Sequence, residues 1–161
     1  MSEFTHHRHP SKWEDRFLNL ASHVATWSKD PSTQLGAVIV RDDNTIVSLG
    51  FNGLPRNIRD DERLENRDIK YEIIVHGEMN AMITSREPLH GHILFTFPLP
   101  PCSRCAAVII QSGIKRVISV VPEERWFKNC YLGASLLQEA GITSVWYAPD
   151  VLSPHPENSL G

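Results

Sequence analysis

The segment HILFTFPLPPCSRCAAVIIQSGIKRVISVV, residues 92–121, decides the fold that the sequence predicts. It contains an apolar run typical of a strand, a helix that begins near Ser103, and a second apolar run. Two strands joined through a helix favour a βαβ unit with parallel strands. Ligands of such sheets bind outside the carboxyl ends of the strands, where helices begin. The start of this helix is therefore the expected place of a functional site.

The chain before this segment predicts a helix and a hairpin. Apolar residues recur at spacings of three and four after Ser11, and Glu14 follows at the position that completes a capping box. The stretch LGAVIVRDDNTIVSLGF (35–51) is rich in β-branched residues around Asp-Asp-Asn, which indicates two strands and a turn. A strand-like run, YEIIV (71–75), and a helix from about Gly77 to Arg86 come next.

The chain after the segment continues the alternation. A helix is predicted from about Leu132 to Ala140, and a last strand in ITSVWY (142–147). We therefore expect an α/β fold with three layers, α/β/α, around a mixed five-stranded sheet made of the N-terminal hairpin and then βαβ units. Residues 52 to about 71 are charged and lack an apolar period, so this connection is expected to be functional or mobile.

Length and composition predict one domain. A chain of 161 residues with 41% hydrophobic residues is long enough for one continuous core and too short for two. We place the domain at residues 11–147, between a flexible tail at residues 1–10 and a proline-containing tail at residues 148–161. His6, His7 and His9 are expected to be solvated residues of the first tail.

The charge and the absence of long apolar runs exclude several classes of protein. A formal net charge of −3 makes a nucleic-acid polymer an improbable partner, although a local basic site for one phosphate stays open. No stretch approaches the roughly 20 apolar residues of a membrane span, and the N-terminus does not resemble a secretory signal. The sequence thus predicts a soluble, cytoplasmic protein.

Two motifs fall where helices are predicted to begin. His76-Gly77-Glu78 opens one helix, and Pro101-Cys102-Ser103-Arg104-Cys105 opens the next. A catalytic zinc site takes three nitrogen or thiolate ligands and leaves a fourth position for water, so His76, Cys102 and Cys105 fit its ligand count. A helix N-terminus also favours the thiolate forms. Glu78, two residues after the histidine, is then the expected general base.

Other interpretations of these cysteines remain open. A C-x-x-C pair by itself also fits a redox site. A closed structural zinc site needs a fourth ligand, for which Cys130, His90 and His92 are the nearest candidates. For Cys130 we favour the role of a small buried apolar residue.

Five segments carry a resemblance to a known family: SKDPSTQLGAVIV (28–40), GFNGLP (50–55), HGEMNAM (76–82), PPCSRCA (100–106) and IIQSGIKRVI (109–118). H-x-E followed by P-C-x-x-C is the signature of zinc deaminases. From about Trp13 to Tyr147 the chain resembles the cytidine deaminase-like superfamily, and within it the deoxycytidylate (dCMP) deaminases. The resemblance implies zinc-dependent hydrolytic deamination of dCMP to dUMP and ammonia.

The resemblance also implies roles for single residues. His76, Cys102 and Cys105 would hold one zinc ion per subunit, and Glu78 would carry the protons. Asn52 would hydrogen-bond the sugar, Ser28, Lys29 and Arg56 are candidates for the 5′-phosphate, and Trp126 is a candidate for covering the pyrimidine. Members of this kind are commonly homo-oligomers, often hexamers.

Three positions depart from the family pattern. Gly77 stands where alanine is usual, which is expected to loosen the helix start by up to about 1 kcal/mol. Pro98 removes a backbone donor from the strand that approaches the metal. Phe51 replaces the tyrosine of many allosterically controlled members, which leaves regulation by dCTP and dTTP open.

Two alternative functions remain. One is a zinc deaminase of another base: cytosine, guanine, an aminopyrimidine, a modified cytosine nucleotide or adenosine in tRNA. The other, from a different class, is a non-catalytic nucleotide-binding protein with a structural zinc ion.

Overall fold

The computed structural model describes residues 2–153. Its helices are α1 (Lys12–Ala25), α2 (Arg67–Ile73), α3 (Gly77–Thr84), α4 (Ser103–Ser112) and α5 (Glu124–Glu139). Its strands are β1 (Thr5–His6), β2 (Gly36–Val40), β3 (Ile46–Phe51), β4 (Ile93–Phe97), β5 (Arg116–Val120) and β6 (Thr143–Tyr147). Single turns of 3₁₀ helix span Glu62–Leu64 and Pro149–Val151.

The sheet has the order β1-β6-β5-β4-β2-β3. β2 is antiparallel to both β3 and β4, whereas β4, β5, β6 and β1 run parallel to one another. The hairpin and the βαβ segment at residues 92–121 form as predicted, which confirms the α/β class and the mixed sheet. The number of strands is six, because the N-terminal segment adds a strand to the five that the sequence predicts.

Residues 4–6, which we expected to lie in a flexible tail, are part of the folded domain. Thr5 and His6 pair in parallel with Trp146 and Tyr147 of β6. The Phe4 side chain is 3% exposed, and its ring centre lies 5.3 Å from that of Trp146. β6 offers an open edge, and the buried Phe4 ring together with the backbone hydrogen bond from Trp146 N–H to the Phe4 carbonyl oxygen anchors the segment there. Residues 154–161 of the C-terminal tail lie outside the described residues.

The two faces of the sheet carry two hydrophobic clusters. Alternate residues of a strand point to opposite faces, so Val38 and Val40 pack with α1 on one face while Ala37 and Ile39 pack on the other. The second face is covered by residues from α3, α4 and α5, among them Ala81, Ile109 and Leu137. These clusters confirm the three-layer arrangement. Within residues 2–153, no helix is long and apolar enough to cross a membrane.

The prediction for residues 67–75 was wrong. The run YEIIV is not a strand: α2 extends to Ile73, and only Val75 forms an isolated bridge, to Gly53. The Asn66 side chain caps this helix by accepting a hydrogen bond from the backbone N–H of Ile69. The helix has no apolar period because its inward residue is Lys70, a charged residue. Hydrophobic periodicity therefore gave no signal for it.

Helix α5 begins eight residues earlier than predicted, at Glu124 and not near Leu132. Its first turns carry Trp126, Phe127 and Cys130, which pack in a cluster with Trp146. Their spacing is helical, so the sequence did contain a signal for this part of the helix.

Two glycines allow α3 to lie directly against the sheet. A Cβ atom on Gly50 would lie 2.3 Å from both the backbone nitrogen of Ala81 and the carbonyl oxygen of Gly77. A Cβ atom on Gly77 would lie 2.6 Å from Cδ2 of Leu35. The nearest atom belongs to the end of a flexible side chain, so alanine at position 77 would require Leu35 to shift, whereas the contacts of Gly50 are with backbone atoms.

We expect Gly50→Ala to lower the free energy of unfolding by about 2–3 kcal/mol, because the added methyl group meets backbone atoms that cannot move independently. Urea unfolding followed by circular dichroism measures the change. Gly53→Ala is the matched control: a Cβ atom on Gly53 would have no neighbour within 4 Å, so a change within about 0.5 kcal/mol is expected. Equal stability of the two variants would contradict the close approach.

Candidate active site

Three ligand atoms converge at the starts of α3 and α4. His76 is the N-cap residue of α3, Cys102 is the N-cap residue of α4, and Cys105 lies in the first turn of α4. Nδ1 of His76 lies 3.5 Å from Sγ of Cys102 and 3.3 Å from Sγ of Cys105. All three ligand atoms lie within 4.8 Å of one another. The structure thus brings together the three residues that the sequence predicts as ligands.

The spacing of these atoms suits a zinc ion. With Zn–N of about 2.0 Å and Zn–S of about 2.3 Å, tetrahedral angles separate nitrogen and sulfur by roughly 3.5 Å. The protonation states of the two cysteines also suit a cation. The hydrogen bond from Cys105 lowers the pKa of Cys102 to about 4, so Cys102 is a thiolate at neutral pH. The same hydrogen bond raises the pKa of Cys105, because a second thiolate beside the first is unfavourable. A divalent cation removes this repulsion and allows both thiolates to form.

The candidates for a fourth ligand lie elsewhere. Within residues 2–153, the only group of three or more possible metal ligands is His76, Cys102 and Cys105. Sγ of Cys130 contacts the carbonyl oxygen of Pro100 at 3.4 Å, and Nε2 of His92 lies 3.1 Å from Glu87. Three protein ligands are typical of a catalytic zinc site and not of a closed structural one.

Glu78 supplies a buried carboxyl group beside the ligands. It is 1% exposed, and within the described part of the chain its Oε2 atom has no hydrogen-bond partner. Burial raises the pKa of Glu78 to about 7, because the charged form loses its hydration. A carboxyl group of this kind can both accept and release a proton near neutral pH.

A cavity of about 380 Å³ opens onto His76, Cys102 and Glu78. Its size lies at the lower end of the range of about 300–1,000 Å³ for ligand pockets. Its walls come from the loop that precedes β2, from α2, from the loop before α4 and from α5. Because these segments are distant in sequence, the cavity can hold a small molecule against the metal ligands and Glu78 at the same time.

Asn52 lines this cavity, but its side chain is engaged in holding the wall. Its Oδ1 accepts a hydrogen bond of 2.7 Å from the backbone N–H of Leu35, and its Nδ2 donates to the carbonyl oxygen of Thr33 at 2.8 Å. Ser28 is buried and donates from Oγ to the carbonyl oxygen of Asn52. Within the structure, both residues order the loop before β2.

The basic residues that were candidates for phosphate binding do not line the cavity. The side chain of Lys29 is 73% exposed and pairs with Asp60 at 2.8 Å. Arg56 is exposed, and neither Lys29, Arg56 nor Ser28 is among the lining residues.

Helix α2 contributes basic lining residues that sequence reasoning missed. Arg67, Lys70 and Tyr71 line the cavity. The Lys70 side chain is buried and pairs with Asp30 at 3.0 Å. These residues were missed because the segment was expected to be irregular. The available signal was Asn66, a favourable N-cap residue one position before Arg67.

Trp126 lines the cavity as expected of a residue that could cover a ring. It also packs against the cluster of Phe4, Cys130 and Trp146, so part of its side chain is structural. Its Nε1 atom is buried without a hydrogen-bond partner among residues 2–153.

Comparison with known proteins agrees with this geometry. A family model described as the cytidine and deoxycytidylate deaminase zinc-binding region matches residues 11–121. A protein described as an uncharacterized deaminase in the luxG 3′ region of Aliivibrio fischeri is 40% identical over 146 residues, 88% of this chain and 98% of the relative. The deoxycytidylate deaminase of Mus musculus is 35% identical over 144 residues, 86% of this chain and 81% of the relative.

Solved structures show the same fold. The dCMP deaminase of cyanophage S-TIM5, in complex with dCMP and dUMP, superposes with a TM-score of 0.71 at 24% identity. The match covers 87% of this chain and 99% of that one. RibD of Acinetobacter baumannii superposes with a TM-score of 0.63 at 22% identity, over 87% of this chain and 36% of its own.

The chain therefore belongs to the cytidine and deoxycytidylate deaminase family, whose shared feature is the zinc-binding region. It is a hydrolase that acts on a C–N bond. Within the family it is of the deoxycytidylate deaminase type, as its similarity to the mouse and human enzymes of that name shows.

We expect the purified protein to bind one zinc ion per chain through the three converging residues. His76→Ala should lose most of this zinc, because a two-ligand site binds the ion far more weakly. Elemental analysis after dialysis measures the metal content. Cys130→Ser is the control and should keep its zinc. Loss of zinc from that variant would indicate a closed four-ligand site and contradict the arrangement described above.

Proposed function

We propose that this protein catalyses the hydrolytic deamination of dCMP to dUMP and ammonia, with zinc held by His76, Cys102 and Cys105. The observation that carries the proposal is the buried carboxyl group of Glu78, which lines a cavity beside the three converging ligands. A structural zinc site in a non-catalytic protein has no need of such a group. Similarity to the mouse and human deoxycytidylate deaminases supports the choice of substrate.

A bound zinc ion supplies the capacity to activate a water molecule near neutral pH. Glu78 accepts the proton of that water as its oxygen attacks C4 of the pyrimidine. Glu78 delivers this proton to N3 of the ring. It then takes the proton of the new C4 hydroxyl group and passes it to the amino group, so that ammonia leaves as the C4–N bond breaks and C4=O forms. A carboxyl group with a pKa of about 7 suits both directions of this transfer.

We assign the 5′-phosphate of the proposed substrate to the α2 wall of the cavity. Nε of Arg67 donates a hydrogen bond of 3.1 Å to the Tyr71 hydroxyl, and its guanidinium lies 5.2 Å from the centre of the Tyr71 ring. This contact positions the guanidinium, whose terminal nitrogens have no hydrogen bond within residues 2–153. Lys70 is neutralised by Asp30, so its contribution is smaller. Trp126 of α5 lines the same cavity, and we assign it to covering the pyrimidine.

The sugar contact of Asn52 remains part of the proposal in an indirect form. Since both polar atoms of its side chain bond to the loop before β2, Asn52 supports the sugar subsite by holding Thr33 and Leu35 in place.

We also propose a cytoplasmic location and a homo-oligomeric assembly, with a hexamer as the expected form. Thiolate metal ligands persist in a reducing compartment, which supports the location. The exposed side chains of Ile83 on α3 and Leu132 on α5, 69% and 52% accessible, are apolar surface residues that such an assembly would cover.

Replacing Glu78 by glutamine removes the titrating group while keeping its size. We expect Glu78→Gln to retain one zinc ion per chain and to lose turnover of dCMP by about 10²- to 10⁴-fold, the usual contribution of a positioned proton carrier. Elemental analysis measures the retained zinc, and ammonia release measures the loss of turnover. A variant that keeps both its zinc and near-normal turnover would refute the role of Glu78.

Substrate form is tested by comparing dCMP with cytosine, deoxycytidine, guanine and an adenosine-containing tRNA anticodon stem. We expect turnover of dCMP and little of the others. Arg67→Gln should raise KM for dCMP by about tenfold with little change in kcat, since a charge-assisted contact to phosphate is worth about that factor.

Arg56→Gln is the matched control for this measurement, because Arg56 is an exposed arginine outside the cavity. Its KM should equal that of the wild type. An increase in KM for Arg56→Gln but not for Arg67→Gln would indicate that Arg56, the candidate from the sequence, binds the phosphate. No turnover of dCMP by zinc-loaded protein would exclude the proposed reaction.

A further inference from the structure

A second cavity, of about 380 Å³, adjoins the catalytic one. The two cavities share a wall made of Ser32, Arg67, Lys70, Tyr71 and Trp126. The metal ligands and Glu78 do not line the second cavity. The second cavity therefore extends away from the reacting atoms, beyond the wall to which we assign the phosphate.

Three of the seven residues that line the second cavity are basic. Arg67 and Lys70 belong to both cavities, whereas Arg125 and Glu65 line the second only. Lys70 is compensated by Asp30, and Glu65 offsets one of the two arginines. Among the lining residues themselves, Arg67, Lys70 and Arg125 stand against one acidic residue, Glu65, and this excess of positive charge favours an anionic group.

Aromatic rings hold the two arginines at the edges of this cavity. The guanidinium of Arg67 lies 5.2 Å from the centre of the Tyr71 ring, and that of Arg125 lies 5.3 Å from the centre of the Trp126 ring. Nε of Arg125 also donates to Glu123 at 2.9 Å, an exposed pair that contributes little. Stacking limits the freedom of both side chains and leaves nitrogen donors for an oxyanion.

We propose that the second cavity binds the phosphate beyond the 5′-phosphate, so that the site accepts deoxycytidine 5′-diphosphate as well as the monophosphate. The inference rests on the proposed function for the position of the base and the first phosphate. The chemistry at C4 is unchanged: the C4–N bond breaks, a C4–O bond forms with the oxygen of water, and the products are dUDP and ammonia. Arg125 is expected to contact dCDP but not dCMP, since it lines only the second cavity.

The test measures kcat/KM for dCDP and for dCMP in the wild type, in Arg125→Gln and in Lys128→Gln. Arg125→Gln should lower the ratio of the dCDP value to the dCMP value by about tenfold, the effect expected for one charge-assisted contact. Lys128→Gln is the matched control, because Lys128 is a cation of the same helix that lines neither cavity. Its ratio should stay at the wild-type value.

Calorimetric titration of the zinc-loaded wild type with dCDP and with dCMP separates this inference from the proposed reaction. Binding of dCDP that Arg125→Gln weakens selectively supports the inference, even if no ammonia is released and the proposed reaction fails. Turnover of dCMP without binding or turnover of dCDP overturns the inference and leaves the proposed reaction intact. A ratio that is equal in Arg125→Gln and the wild type also overturns it.

Discussion

The pairing register at one edge of the sheet is the constraint on which the site depends. Gly36 of β2 pairs with Phe51 at the end of β3 and with Phe97 at the end of β4. The chain enters or leaves the sheet at these three positions, so Leu35, Asn52 and the loop after Phe97 are forced to be neighbours. The glycines at positions 50 and 77 then let α3 lie directly on the sheet, which brings His76 to the same edge. A shift of register by one residue would reverse the faces of β2 and separate these groups.

A buried ion pair also holds the wall of the cavity in place. One buried ion pair, between Lys70 and Asp30, joins α2 to the loop before β2. Asp30 also accepts hydrogen bonds from Ser32, and the pKa of Asp30 is lowered because these bonds and Lys70 outweigh the effect of its burial. Breaking such a pair leaves a buried charge uncompensated, which costs several kcal/mol in typical cases. The pair therefore stabilises the wall that faces Glu78 and the metal ligands, and it links stability of the loop to the shape of the cavity.

Much of the catalytic group could be predicted from the sequence, whereas the binding surface could not. His76, Glu78, Cys102 and Cys105 lie in short motifs at helix starts, where local spacing determines which side chains share a position. The positions of the basic residues that line the cavity could not be predicted from local spacing. Lys29 and Arg56 lie near residues of the family motifs in sequence, yet they project outside the cavity, while Arg67 reaches it from a helix that hydrophobic periodicity did not reveal. A charged residue that faces inward, as Lys70 does, has no pattern to mark it until its partner is known.

The class of fold, the two motifs and the ligand types could be predicted from the residues alone, because they depend on local periodicity, on capping and on the chemistry of nitrogen and thiolate donors. The folded structure was needed to show which residues form the cavity wall, that Phe4 anchors a sixth strand, and that the Asn52 side chain bonds to the loop before β2. These outcomes depend on contacts between segments that are distant along the chain. Glycine at position 50 shows the difference: nothing local in a strand favours it, but in the folded protein a Cβ atom there would meet backbone atoms of α3.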